Sequence, residues 1–174
     1  MFKYSKVKSI ACFFNNKKCL IIKIISYMKL GKGFIYYKNH IDKLIINKIK
    51  FFMFYFDIFK LRKYDFYFFI KPFYLKKYNN CIDLAVFFSV FLSIFNLSLN
   101  NKIFVLGELD FKNGCLKNID NLLNKINIFK EFLFNIFIIP KKNKIFKLKF
   151  STLKFNYLFE IFLFFKRCLT QRKE

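Results

Sequence analysis

Cys81 is the residue whose type and position most directly suggest chemistry. It begins the apolar run CIDLAVFFSVF, residues 81–91, where the sequence predicts the first turn of a helix. A thiol at a helix N-terminus can act as a nucleophile, because the positive end of the helix dipole stabilises the thiolate. Asp83 lies in the same turn, and its negative charge opposes thiolate formation. Cys81 also suits the role of a small buried residue, and this is the favoured interpretation, with the nucleophile as the alternative.

Lysine clusters suggest a second kind of chemistry, the binding of phosphate. The chain has 33 Lys and Arg against 10 Asp and Glu, a formal net charge of +23, which is typical of proteins that bind polyanions. Lysine binds phosphate as a point charge, so such contacts carry no sequence information. Lys, Asn, Ile, Phe and Tyr also have AT-rich codons, and compositional bias explains the basicity equally well. The predicted DNA contacts are Lys76, Lys77, Lys141, Lys142 and Lys144.

The cysteine and histidine positions argue against a metal site. The chain has 5 cysteines and 1 histidine, without a C-x-x-C pair, so the sequence offers no compact set of zinc ligands. Cysteines without such pairing are typical of a reducing compartment. We therefore expect reduced thiols, no metal, no cofactor and a cytoplasmic location.

Alternating helix and strand patterns predict a single layered α/β domain. We expect a lysine-rich leader over 1–40, the domain over 41–167 and a basic tail over 168–174. Apolar spacing and capping residues predict helices at 41–61, 82–95, 118–134 and 151–167, the last three capped by Asn80, Asn118 and Ser151. Short apolar or aromatic runs predict strands at 64–71, 102–109, 135–140 and 144–150, with a hairpin at 110–116.

The apolar helix after Cys81 is predicted to be buried in protein rather than in lipid. A membrane-spanning helix needs about 20 apolar residues. The run here is shorter, contains Asp83 near its start and ends at the polar segment NLSLNN, residues 96–101. A small membrane-associated protein, in which 82–99 enters lipid, is the less favoured alternative.

Several of these segments together resemble the Lon-protease-like C-terminal domain of the bacterial DNA repair proteins RadA, also called Sms. The resemblance rests on DLAV at 83–86, GEL at 107–109, Gly114 in the hairpin and IIPKKN at 138–143. Its specific part covers 81–143, and a weaker match extends upstream to about residue 41. Lon peptidases and the magnesium-chelatase-like ComM proteins carry related patterns. The resemblance implies the α/β fold of Lon peptidase domains, a ribosomal-protein-like βαβ arrangement.

The function implied by this resemblance is that of a reduced RadA-like protein of bacterial DNA repair or recombination. The chain has no G-x-x-x-x-G-K-[ST] motif and no four-cysteine module, so it lacks the sequence features of the family's ATPase and zinc parts. We expect a non-proteolytic Lon-like domain that binds the DNA phosphate backbone and assembles with itself. A separate ATPase chain is a further expected partner, and a membrane is not.

The same resemblance implies an enzymatic alternative. Lon peptidases use a Ser–Lys dyad, and the matching positions here hold Cys81 and Lys125. The alternative is a Lon-type peptidase, ATP-independent or partner-dependent, in which the thiol is the nucleophile and a neutral lysine the base. Asp83 and the lack of a Gly-rich segment before Cys81 argue against it. A remnant that keeps the fold without activity is a further alternative.

Overall fold

A computed structural model of the chain describes residues 5–13, 18–37, 46–47, 50–51, 63–71, 80–95, 97, 99, 102–110, 113–127, 136–143 and 151–170. The strands in these ranges are β1 Ser5–Phe13, β2 Lys18–Leu30, β3 Ile35–Tyr37, β4 Tyr64–Lys71, β5 Ile103–Val105, β6 Glu108–Leu109, β7 Leu116–Lys117, β8 Ile136–Pro140 and β9 Ser151–Phe155. The helices with defined bounds are α1 Asp83–Ile94, α2 Leu122–Asn127 and α3 Leu158–Thr170, and a 3-10 turn, Asn80–Ile82, precedes α1.

One seven-stranded sheet, in the order β3-β4-β2-β1-β5-β8-β9, organises the molecule, and β6 and β7 form a separate two-stranded sheet. β1, β5, β8 and β9 run parallel to one another, whereas β2 is antiparallel to both β1 and β4. Parallel neighbours need crossover connections, and α1 lies in the connection that leads to β5. The mixed helices and strands confirm the predicted α/β class.

The core lies between α1 and one face of the sheet. Along β2, Ile22, Ile24 and Ser26 are buried, while the residues between them are exposed or half-buried, as the period of 2 in a strand requires. α1 is buried along almost its whole length, from Asp83 to Ser93, and α3 packs on it through Phe165, whose ring lies 5.1 Å from that of Phe88. An apolar helix buried on all sides is what the sequence predicted for this segment.

Serines, rather than apolar residues, fill part of the contact between the sheet and α1. Ser26 Oγ donates to the carbonyl oxygen of Ser89 at 2.7 Å and shares a hydrogen bond with Ser5 Oγ, also at 2.7 Å. Ser93 Oγ donates to the Ser89 carbonyl at 2.8 Å. These buried hydroxyls satisfy one another, so the cost of burying them is largely offset.

The segment expected as a leader contributes the central strands of the sheet. β1 pairs along its whole length with β2, from Ser5 opposite Ser26 to Phe13 opposite Lys18, and it also pairs with β5. No usable pattern is present here because several buried positions on these strands are serines, while some half-buried positions on the opposite face, such as Ile21 and Ile25, are apolar. That arrangement removes the hydropathy alternation by which strands are recognised.

All three predicted helix caps are wrong. The N-cap of α1 is Ile82, not Asn80, and no side chain caps it; α2 begins at Leu122, too far along the chain for Asn118 to cap it. Ser151 begins the strand β9 instead of a helix, because parallel pairing with β8 extends that segment. At the start of α3 a first-turn side chain reaches back instead: Glu160 Oε2 accepts from Asn156 N at 2.7 Å.

Other predicted elements agree with the structure where it describes them. β4, the apolar helix α1, the β6–β7 hairpin and β8 lie where they were expected, and Gly114 in the hairpin has a φ of 68°. The strand predicted over 102–109 is divided into β5 and β6. Of the helix predicted over 41–61, residues 46, 47, 50 and 51 are described and are helical. The strand predicted over 144–150 lies outside the described residues.

Within the described ranges, each helix is too short or too polar to cross a membrane.

Candidate functional site

The start of α1, where Cys81 lies, is fastened to the segment between β5 and β6. Gly107 N donates to the Cys81 carbonyl oxygen at 2.8 Å, and Leu84 N donates to the Gly107 carbonyl at 3.0 Å. The carboxylate of Asp83 accepts from Leu109 N at 3.3 Å. A β-carbon at position 107 would lie 3.0 Å from the Leu84 side chain, so any larger residue there would require Leu84 to shift. Backbone groups from β5–β6 thus take the place of a side-chain cap.

The two residues of the implied dyad are both buried. Cys81 is 5% exposed and Lys125, on α2, is 3% exposed. Cys81 and Cys115 are not in disulfide bonds. A peptide substrate would have to approach both the thiol and the ammonium group, so its access at Cys81 and Lys125 requires local opening of the structure.

The predicted phosphate-binding lysines are described only in part. Lys141 and Lys142 form the exposed turn that follows β8, and Lys141 N donates to the Phe155 carbonyl oxygen at 2.7 Å. Lys76, Lys77 and Lys144 lie outside the described residues. The turn therefore presents two neighbouring ammonium groups at the carboxyl end of a parallel strand.

Further lysines lie on the outer face of the sheet, which we define as the face opposite α1. Lys23 on β2 pairs in backbone register with Lys71 on β4. Like charges directly opposite each other destabilise a sheet. An anion bound near these ammonium groups would reduce their mutual repulsion and so the loss of stability that it causes.

The strand directions bring these lysines toward one edge of the sheet. β4 and β8 both run parallel to β1, so Lys71 at the end of β4 and Lys141 after β8 lie at the carboxyl edge. β2 runs the other way, which places its amino-terminal half, with Lys23, toward the same edge. The lysines after β8 were predicted from the sequence, but Lys6 and Lys23 were not, because no strands were expected over 1–40, and Lys71 joins them only through the pairing of β4 with β2.

Aromatic rings continue the outer face beyond the lysines. Tyr27 and Tyr67 stack across β2 and β4 with their centroids 4.6 Å apart and their planes 1° from parallel. Tyr36 on β3 stacks on Tyr67 at 4.8 Å, and Phe69 lies 6.1 Å from Tyr27 at an angle of 17°. We call these residues, Tyr27, Tyr36, Tyr67 and Phe69, the aromatic row. A solvated sheet face usually carries polar side chains, so this row needs an explanation.

An open depression of about 430 Å³ joins the lysines to the aromatic row. Its lining consists of Lys6, Lys23, Ile25, Tyr27, Phe69 and Lys71. The described lining residues thus combine cationic and apolar side chains and include no carboxylate. This combination suits a ligand that carries negative charge and a flat apolar part.

No metal site accompanies the depression in the part of the chain that the structure describes, where no group of three His, Cys, Asp or Glu side chains could hold an ion. No family model matches the sequence, and no curated protein does.

Proposed function

We propose that this chain is a non-proteolytic Lon-like domain that binds DNA through contacts between lysine side chains and phosphates, as expected of a reduced RadA-like repair or recombination protein. The observation that carries the proposal is the convergence of Lys6, Lys23 and Lys71, from three neighbouring strands, on one depression. Such a cluster attracts a polyanion, and its backbone register keeps the charges close together.

The Lon-like part of the proposal is supported by the positions of the segments that carry the resemblance. DLAV forms the first turn of α1. Gly107 of the GEL segment donates to the Cys81 carbonyl oxygen before the helix and accepts from Leu84 N within it. IIPKKN supplies the end of β8 and a turn in which Asn143 bonds Ile119 twice. Its Oδ1 accepts from Ile119 N at 3.1 Å, and its Nδ2 donates to Ile119 O at 2.9 Å. Each of these segments therefore connects secondary-structure elements through backbone or side-chain hydrogen bonds.

Assembly into an oligomer and cooperation with a separate ATPase chain belong to the same proposal and rest on the resemblance alone. The peptidase alternative receives no support from the geometry, since Cys81 and Lys125 are 5% and 3% exposed.

The test is the salt dependence of DNA binding. We expect the binding constant for a fluorescent duplex, measured by anisotropy, to fall steeply as salt rises, with a log–log slope of about −0.9 for each phosphate neutralised. The double variant Lys6→Ala/Lys23→Ala should bind more weakly and reduce the magnitude of the slope by about 2, one for each lysine removed. Lys141→Ala/Lys142→Ala tests the turn after β8 in the same way.

Lys154→Ala is the matched control, because Lys154 is an exposed strand lysine on β9 and lies outside the depression. It should change the slope little. Wild-type protein that does not bind DNA at low salt, or binding that stays constant between low and moderate salt, would contradict the proposal.

A further inference from the structure

We infer that the depression on the outer face binds an unpaired nucleotide, so that the preferred ligand is single-stranded rather than duplex nucleic acid. The inference rests on the proposed function, which requires phosphate contacts, and adds a site for the base. The base would lie against Tyr27, Phe69 and Ile25, and the adjoining phosphates would meet Lys6, Lys23 and Lys71.

The rings of the aromatic row are partly exposed to solvent, whereas aromatic side chains that only build a core are buried. Tyr27, Tyr67 and Phe69 are half-buried, and Tyr36 is 45% exposed. By contrast, the alternate residues on the same strand, Phe66 and Phe68, are fully buried beneath the opposite face. The inner aromatics build the core, whereas the outer ones leave apolar surface in contact with water, which has a cost unless a ligand covers it.

The rings are held ready for stacking. Tyr67 lies between Tyr27 and Tyr36, at 4.6 Å and 4.8 Å, and the three planes are parallel to within 14°. Because each ring supports its neighbour, little side-chain freedom is lost when a ligand binds. Phe69 lies diagonally beside Tyr27, at 6.1 Å, and together these two rings border the depression.

The neighbouring charge selects among flat ligands. Two of the lysines, Lys23 and Lys71, are direct partners two residues beyond the pair Ile25 and Phe69, whereas Lys6 on β1 is the direct partner of Ile25. A strand rises about 3.3 Å per residue, so the backbones of Lys23 and Lys71 lie roughly 7 Å along the strands from those of Ile25 and Phe69. An acidic peptide would satisfy the lysines but would leave the rings uncovered, whereas a nucleotide presents a phosphate and a planar base together.

The same geometry disfavours a duplex. In double-stranded DNA or RNA each base is stacked between its neighbours, and its flat surface reaches a protein only after costly unstacking. A single strand offers its bases freely, and stacking on aromatic side chains is tolerant of sequence because every base has a flat face. Lysine–phosphate contacts can form with either a duplex or a single strand, but stacking on the aromatic row is available only to the unpaired bases of a single strand.

The test compares a single strand with a duplex of the same sequence at one salt concentration, using oligothymidylate, oligoadenylate and the annealed pair as probes. We expect tighter binding of the single strands by wild-type protein. The variant Tyr27→Leu/Phe69→Leu should lose about tenfold or more in single-strand affinity, with duplex affinity and salt slope unchanged. The control is Tyr37→Leu, an exposed tyrosine of β3 that lies outside the depression.

A readout on wild-type protein keeps the test valid if the double variant does not fold. Ultraviolet cross-linking to oligothymidylate should attach the strand at Tyr27 or Phe69, as peptide mapping would reveal. Cross-links that avoid both residues, equal affinity for the two forms, or equal losses on both forms in the variant would overturn the inference. Duplex binding without single-strand preference would refute only the inference, whereas a protein that binds neither form refutes the proposed function as well.

Discussion

The carboxylate of Asp65 occupies the space that a side chain at Gly31 would need. Asp65 lies on β4, and its Oδ1 accepts from Lys32 N and Phe34 N, each at 2.9 Å. A β-carbon at position 31 would overlap the carboxyl group. The Asp65 carboxylate therefore holds the turn between β2 and β3 in place through two backbone hydrogen bonds. This turn leads into β3, which brings Tyr36 to the aromatic row.

Gly31→Ala should destabilise the protein because it forces the Asp65 side chain out of place. Overpacking of this kind costs about 1–3 kcal/mol in the free energy of unfolding, measurable by urea denaturation. Asp65→Ala should cost a similar amount, since two backbone N–H groups lose their acceptor. The double variant should lose less than the sum of the two, because the overlap and the hydrogen bonds involve the same carboxylate.

Lys32→Ala provides the control for this turn, since Lys32 is exposed and only its backbone contacts Asp65. Its effect should stay within about 0.5 kcal/mol. Additive losses in the double variant would show that the two positions act independently and that the contact is not as described.

The buried serines give a second, matched prediction. Ser9 and Ser26 are both 0% exposed, but Ser26 Oγ takes part in the hydroxyl network whereas Ser9 Oγ has no hydrogen-bond partner among the described residues. Ser26→Ala should cost about 1 kcal/mol of stability, the net value of a buried hydrogen bond. Ser9→Ala should be neutral or stabilising, because it removes a polar group whose burial is uncompensated. Equal losses in urea denaturation would contradict this distinction.

The buried serines also explain why some elements could be predicted from the sequence and others could not. β4 and α1 were predicted because their patterns are local: Phe66, Phe68 and Ile70 alternate, and the run after Asp83 is apolar throughout. β1 and β2 were not predicted, because Ser5 and Ser26 are buried by partners on α1, and those partners are distant in sequence.

The candidate site shows the same division between local and distant information. Lys141 and Lys142 are adjacent in sequence and could be identified as a basic cluster. Lys6, Lys23 and Lys71 become neighbours only through the register of three strands, and no local pattern reveals that register. β9 was missed for a related reason, since its pairing with β8 involves residues about fifteen positions apart and overrides the helical spacing expected after Ser151.

Tyr157 provides a pH-dependent prediction. The pKa of its phenol lies above the ordinary 10.0, mainly because of a hydrogen bond with the Cys115 side chain, with the charges of Cys115 and Glu160 and partial desolvation adding to the effect. A raised pKa means that the folded state holds the proton more tightly than the unfolded state does. The stabilisation is complete below pH 10 and is lost as the pH rises through the pKa of the folded protein.

The variant Cys115→Ala should lower the pKa of Tyr157 toward 10.0, since it removes the largest cause of the shift. The phenolate absorbance of each protein, compared with that of the same protein carrying Tyr157→Phe, isolates this residue from the other tyrosines. The pH dependence of unfolding above pH 10 should become weaker in Cys115→Ala. An unchanged titration would contradict the assigned contact.

Cys81 should behave as a buried structural thiol. Its side chain is 5% exposed, whereas that of Cys115 is half-buried, so iodoacetamide should modify Cys115 first and reach Cys81 only when urea opens the fold. Peptide mapping by mass spectrometry measures both rates in one sample. Because a nucleophile must be both accessible and ionised, slow alkylation of Cys81 predicts that the protein does not cleave casein or fluorogenic peptides. Cleavage that is abolished by both Cys81→Ser and Lys125→Ala, but not by the exposed control Lys142→Ala, would instead establish the dyad and refute the non-proteolytic assignment.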